Sequence, residues 1–197
     1  MIITYEEGTG LYVNMTNACS NSCDFCVRGS DALPYGNLWL ERDPTASEVL
    51  SDIFARDLSA YSELVFCGFG EPTYRIKEIA EIAKKVREKS DIPFRINTNG
   101  QSDLINDENT APLFACFDTV SISLNAKSAK EYDEKCHSVF GLSAFDALIT
   151  FAKNVRAYAK NVVFSVVEGT LSRQDIEACR RIAESCGVTL RVRAYIQ

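Results

Sequence analysis

Short apolar runs and longer amphipathic runs alternate along this chain. Residues 11–15 read as a first strand, and residues 63–69, 92–98, 118–124, 161–167 and 189–195 read as further strands. Between them, apolar side chains recur at helical spacing. In Asp43-Pro44-Thr45-Ala46-Ser47-Glu48, Pro44 suits a first turn and Thr45 with Glu48 makes a capping box. Val49, Leu50, Ile53 and Phe54 then share one face. Residues 76–88 put Ile79, Ala80, Ile82, Ala83 and Val86 on one stripe, and residues 142–160 turn Phe145, Leu148, Ile149, Ala152 and Val155 inward. Ser172 opens a last helix and Gly187 closes it.

Strands joined by helical crossovers pair in parallel with right-handed connections. Such strands, buried on both faces, should be apolar on both. Several here are not. Asn14 and Thr16 share a face, as do Arg95, Asn97 and Asn99, and Thr119, Ser121, Ser123 and Asn125; Arg191 and Arg193 alternate with Leu190, Val192 and Ala194. The apolar faces can pack on helices. The polar faces need a common interior that serves as a ligand cavity. The expectation is an α/β fold: a partial (β/α)6 barrel of parallel strands with helices outside. The alternative for Arg191 and Arg193 is an exposed sheet edge.

Composition narrows the class. The chain has 197 residues, 46% of them hydrophobic, which suits a single domain spanning residues 1–197. The net charge is −6 and no Lys/Arg run exceeds two residues, so no nucleic-acid surface is evident. No apolar run approaches the roughly 20 residues of a membrane span. The N-terminus lacks a basic, signal-like region, and the expected location is the cytoplasm.

Three of the eight cysteines stand together, in Cys19-Ser20-Asn21-Ser22-Cys23-Asp24-Phe25-Cys26. Cysteine thiolates hold iron–sulfur clusters. A cubane has four irons, so three thiolates leave one iron open for a ligand. A structural zinc site is the alternative, but it usually takes four ligands. The other five cysteines, Cys67, Cys116, Cys136, Cys179 and Cys186, lie in apolar or helical stretches and are expected in the core.

With these residues in view, the sequence resembles the radical S-adenosylmethionine (radical SAM) enzymes. Cys19, Cys23 and Cys26, with Phe25 before the third, match that superfamily's C-x3-C-x-aromatic-C signature. Phe69-Gly70-Glu71-Pro72 stands where the family has G-G-E-P, with Phe69 in place of the first glycine. Thr98-Asn99-Gly100 and Ser121-Ile122-Ser123-Leu124-Asn125 match further patterns at strand ends. Asn37-Leu38-Trp39-Leu40 and the run from Val65 to Thr73 are most like the TatD-associated radical SAM proteins.

The resemblance implies a cluster loop at 16–28, with a [4Fe-4S] cluster on Cys19, Cys23 and Cys26. It implies S-adenosylmethionine on the open iron, reductive cleavage to a 5′-deoxyadenosyl radical, and hydrogen abstraction from an unknown substrate. An electron donor such as flavodoxin or ferredoxin is then required. Phe25 would pack beside the cluster and offer its backbone to the adenine of the cofactor. Gly70, Glu71, Asn97, Ser123 and Asn125 would contact the cofactor. Many relatives place an arginine near Cys136-His137-Ser138; here His137 or Arg28 would have to meet the cofactor carboxylate. The expectation is a minimal core with no auxiliary-cluster domain, its open side covered by residues 27–42, a partner or a second copy. A macromolecular substrate suits such an open site, and Arg95, Arg191 and Arg193, if they point inward, favour an anionic one. The alternative class is a catalytically inactive cluster- or zinc-binding interaction module.

Overall fold

A computed structural model describes residues 1–29 and 34–194. Its strands are β1 (Thr4–Glu7), β2 (Gly10–Val13), β3 (Glu63–Phe66), β4 (Phe94–Thr98), β5 (Thr119–Ser123), β6 (Asn161–Val167) and β7 (Thr189–Arg193). They form one sheet in chain order, from β1 to β7. Every neighbouring pair from β2 onward is parallel. The crossovers carry α1 (Ala46–Phe54), α2 (Ile76–Arg87), α3 (Ser102–Asn106), α4 (Ala129–Cys136), α5 (Ser143–Val155) and α6 (Arg173–Ser185).

The sheet curves. Neighbouring strands lie about 4.8 Å apart, so the edges of a flat seven-stranded sheet would stand roughly 29 Å apart. Yet Tyr5 and Glu7 of β1 and Arg191 and Arg193 of β7 line one cavity. This is the expected partial barrel, with one addition. Strand β1 pairs antiparallel to β2, with Gly8 turning the hairpin at φ 59°. The run Thr4-Tyr5-Glu6-Glu7 is too polar and too short for its periodicity to announce a strand.

Alternation along the strands separates two cores. Leu11, Val13, Leu64, Phe66, Phe94, Ile96, Val120, Ile122 and Phe164 face the helices and join the main core. The opposite face carries a small cluster of Tyr5, Tyr12, Val65, Phe69 and Leu38. Most of the rest of the inner face is polar, with Asn14, Arg95, Ser121, Asn125 and Ser165 all buried.

The helices begin close to their sequence signals and end earlier than their patterns do. Thr45 and Glu48 form the capping box, but Pro44 precedes the cap and does not occupy the first turn. The apolar stripes are inward, with Leu50, Phe54, Ala80 and Ile149 half-buried. The long helix expected over 142–160 ends at Val155. The strand expected to reach Glu63–Phe69 ends at Phe66, because Cys67 onward turns to build the site. Tyr195 lies outside the described residues, as do residues 30–33 of the long loop. The second half of that loop is pinned: Asn14 Nδ2 donates to the Leu38 carbonyl at 2.7 Å, and Asn17 exchanges bonds of 2.8 and 3.0 Å with Leu40. No helix among the described residues is long and apolar enough to cross a membrane.

Candidate cluster and cofactor site

The C-terminal ends of the parallel strands open into a cavity of about 200 Å3. All nine site residues expected from the sequence line it: Cys19, Cys23, Phe25, Cys26, Gly70, Glu71, Asn97, Ser123 and Asn125. They come from four separate strand ends, so convergence is a property of the curved sheet.

The cysteine loop follows β2 and is held from below. The Ser22 N–H donates to the Cys136 carbonyl at 2.9 Å, the Asp24 N–H to the Lys135 carbonyl at 3.1 Å, and the Val139 N–H to the Ser20 carbonyl at 2.9 Å. The end of α4 thus serves as a seat for the loop. Beneath it lies a buried polar network absent from the sequence reading. Asn21 Nδ2 donates to the Tyr132 hydroxyl at 2.9 Å, Gln101 Nε2 donates to Asn21 Oδ1 at 2.9 Å and to the same hydroxyl at 3.0 Å, and the Ser138 hydroxyl donates to Gln101 Oε1 at 2.9 Å. These residues are far apart in sequence, and nothing local marks them.

Cys136 is buried, as expected, and lies beside the cysteine loop, close enough to Cys23 to perturb it. A hydrogen bond from Cys136 lowers the Cys23 pKa, helped by the Asn21 side chain. The pairing with Cys23, together with burial, pushes the Cys136 thiol up. Burial pushes Cys19 up to about 11, with the nearby Glu71 carboxylate adding to this; the Asn21 N–H, 3.4 Å from Cys19 Sγ, opposes it. Cys67 is a correction to the core reading: it is half-buried and lines the cavity wall.

Gly70 sits where no side chain fits. A Cβ there would lie 2.2 Å from the Thr16 carbonyl oxygen and 2.7 Å from that of Ala18. Glu71 begins a short 3-10 turn, Pro72–Arg75, and its carboxylate accepts from the Thr73 N–H at 3.1 Å. It also accepts from the Thr98 hydroxyl at 2.7 Å and the Asn99 N–H at 2.6 Å. Burial raises its pKa against the pull of these donors. Asn97 gives its oxygen to Arg95 at 2.8 Å. Asn125 holds a left-handed backbone, φ 52°, and its buried Oδ1 has no partner among the described residues.

The two candidate cations separate cleanly. His137 caps α4 at φ 47° and sits 2.8 Å from Asp24 Oδ1, half exposed and away from the cavity. Arg28 lines the cavity, with its guanidinium 5.8 Å from the Trp39 ring centroid and a buried Nε unpartnered among the described residues. The expectation for His137 is therefore corrected. The αL turn that ends α4 carries its ring outward, and Asp24 is there to meet it.

The donor set suits a cluster. The eight cysteines are free thiols in this structure, and those at 19, 23 and 26 ring one cavity at half-buried and exposed positions. Among the described residues no three His, Cys, Asp or Glu side chains converge as a single metal ion demands. A cubane asks for less convergence, because each thiolate meets a different iron.

Comparison with known proteins agrees with this geometry. The family model of the radical SAM superfamily matches residues 13–183. The chain belongs to that superfamily. Its members use a [4Fe-4S] cluster and S-adenosylmethionine. No curated protein sequence matches. Among solved structures, the radical SAM fold recurs in SuiB of Streptococcus suis bound to its precursor peptide SuiA, with TM-score 0.70 and 19% identity. A radical SAM methyltransferase from Sphaerobacter thermophilus gives TM-score 0.68 at 19% identity, and the hydrogenase maturase HydG from Carboxydothermus hydrogenoformans gives 0.67 at 14%. These alignments cover 95%, 94% and 96% of this chain but only 39%, 55% and 44% of the other chains. At such identities the likeness shows the fold. The chain spans about half the length of these relatives, or less.

Proposed function

We propose that this radical SAM chain is an enzyme of hydrogen abstraction, with Cys19, Cys23 and Cys26 holding the [4Fe-4S] cluster. The observation that carries this reading is the convergence of the three cysteines with Gly70, Glu71, Ser123 and Asn125 on one cavity at the strand ends. Cys19, Cys23 and Cys26 would hold the cluster, which when bound would supply one electron for reductive cleavage of S-adenosylmethionine to methionine and a 5′-deoxyadenosyl radical.

The chain's own residues do the rest. Gly70 lets the backbone pass close to the cofactor's amino group, which the Glu71 carboxylate faces with its remaining acceptor capacity. Arg28 meets the cofactor carboxylate, since its buried Nε, without a partner among the described residues, is a donor left for one. Asn125 Oδ1 accepts from a ribose hydroxyl or the amino group, and Ser123 adds a second short polar contact. Phe25 packs against the loop and excludes water. The seat on α4 holds the cysteine loop in register as electrons come and go. A flavodoxin- or ferredoxin-like protein would supply them. The likeness to the TatD-associated proteins remains a reading of residues 37–40 and 65–73, and the expected cytoplasmic setting accords with thiolates that must stay reduced.

Anaerobic reconstitution with iron and sulfide tests the proposal. The expected result is a brown protein whose reduced EPR signal changes on adding S-adenosylmethionine, and which forms 5′-deoxyadenosine with dithionite. Stoichiometric zinc and no iron absorbance would instead identify a zinc module. A cluster that forms but never cleaves the cofactor would identify a binding module that has lost catalysis.

A further inference from the structure

The cofactor cavity adjoins a second one, of about 340 Å3, on the inner face of the sheet. Cys67, Phe69, Asn97 and Arg193 line both. The second cavity has walls of a different kind. The Tyr5 ring packs 5.2 Å from Tyr12 and 4.6 Å from Tyr35, giving an aromatic floor. Two of these hydroxyls are engaged: Tyr5 donates to the Cys67 carbonyl at 3.1 Å, and Tyr12 accepts from Arg95 at 3.0 Å.

Charge on this inner face is unevenly spent. Arg95 is fully engaged, donating to both Glu63 oxygens at 2.9 and 2.7 Å and to Asn97 at 2.8 Å. It therefore has no free charge for a ligand, which corrects one part of the sequence expectation. Arg191 lies largely exposed. Arg193 remains. It lines both cavities, makes no ion pair among the described residues, and keeps a buried, unpartnered Nε. Burial, together with the charges of Arg191 and Arg95, lowers its pKa. Across the opening, Glu7 at the end of β1 lines the same cavity and likewise makes no side-chain hydrogen bond or ion pair among the described residues. A carboxylate and a guanidinium thus face one space from the two edges of the sheet without bonding each other. Left so, each forgoes charge-assisted hydrogen bonds. A ligand carrying both opposite charges would satisfy both.

We propose that the second cavity binds the zwitterionic head of an amino acid, its carboxylate on Arg193, its ammonium toward Glu7, and its side chain against the rings of Tyr5 and Tyr35. The volume suits a small ligand, at the lower end of ordinary binding pockets. This deepens the proposed function by naming the substrate class, and rests on it for placing the substrate beside the cofactor.

The test measures dissociation constants of three probes by calorimetry on the full, cluster-loaded chain with S-adenosylmethionine present. The probes are L-phenylalanine, 3-phenylpropanoate, which has only the carboxylate, and phenethylamine, which has only the ammonium. L-Phenylalanine should bind tightest. Arg193→Gln should weaken it and 3-phenylpropanoate by about tenfold or more, the loss of a charged hydrogen-bonded pair, and leave phenethylamine unchanged. Glu7→Gln should do the reverse, and Arg193→Lys should recover part of the loss. Wild-type protein that binds S-adenosylmethionine but none of the probes would overturn the proposal. So would variants that still bind S-adenosylmethionine but weaken all three probes alike, since the two charges would then not be read separately. Repeating the titrations on cluster-free protein separates the two readings. Charge-dependent probe binding there, beside a failure to bind S-adenosylmethionine when loaded, would sink the proposed function and leave the amino-acid site standing.

Discussion

The backbone N–H of Asn99 donates to Glu71 Oε2 at 2.6 Å, while the Thr98 hydroxyl donates to the other oxygen at 2.7 Å. One carboxylate thus ties the turn after β3 to the end of β4. It does so in a buried place, where a missing acceptor cannot be replaced by water. Glu71→Gln turns one acceptor into a donor facing donors. It should cost about 1–3 kcal/mol of stability, read from urea unfolding of the cluster-free protein. Unchanged stability would mean that the carboxylate serves the ligand alone.

Gly70→Ala should be more damaging than its size suggests. The added Cβ would meet the Thr16 and Ala18 carbonyls at 2.2 and 2.7 Å, and these are backbone atoms that cannot swing away. The Glu71 N–H to Ala18 bond, 2.8 Å, would have to break or lengthen. The expected outcome is a lowered melting temperature together with loss of S-adenosylmethionine binding. Retention of both would show that the cysteine loop can move aside.

Cys136→Ala tests the thiol that leans on Cys23. A hydrogen bond to a ligating sulfur favours the more negative, reduced cluster. Removing one worth about 0.5–1.5 kcal/mol should lower the midpoint potential by roughly 20–65 mV, with iron content unchanged. A redox titration followed by EPR reads this directly. An unchanged potential would reduce Cys136 to a packing residue.

Replacing Cys23 by Ala should abolish iron incorporation after anaerobic reconstitution, measured as iron per chain. Arg28→Ala should keep the iron and weaken S-adenosylmethionine by about tenfold, as expected for one lost charged hydrogen bond, while His137→Ala leaves that affinity unchanged. Equal effects at positions 28 and 137 would undo the assignment of the cofactor carboxylate to Arg28.

Tyr132→Phe probes the network under the cysteine loop. The hydroxyl accepts from both Asn21 and Gln101, so its loss leaves two buried amide donors short of a partner. A cost of about 1–3 kcal/mol is expected, with faster hydrogen exchange at the Ser22 amide. If exchange there is unaltered, the loop is held by the α4 backbone alone.

Most of the site was legible because its chemistry is local. Cys19, Cys23 and Cys26 fall within one short loop, and Gly70-Glu71-Pro72 is a contiguous turn. Polar alternation on the strands likewise gave away the inner face, since a period of two assigns residues to faces without knowledge of their neighbours. What escaped was non-local or weakly patterned. Thr4–Glu7 is a strand because Gly10–Val13 offers it an edge, and its own residues do not alternate in hydrophobicity. His137 and Arg28 stood as alternatives for the cofactor carboxylate, and a left-handed cap turned His137 toward Asp24.

By itself the sequence determined the alternation of strands and helices, the polar lining and the three thiolates, all of which depend on residue type at short spacing. Only the tertiary structure decided which charges are already spent. Arg95 and Arg193 are two inward arginines of one sheet, yet Glu63 neutralises the first, and the second faces an open cavity with Glu7 across it. The reason is that a side chain's charge is available to a ligand only if no closer partner claims it. Partners brought together from neighbouring strands distant in sequence, or across both edges of a curved sheet, leave no trace in sequence spacing.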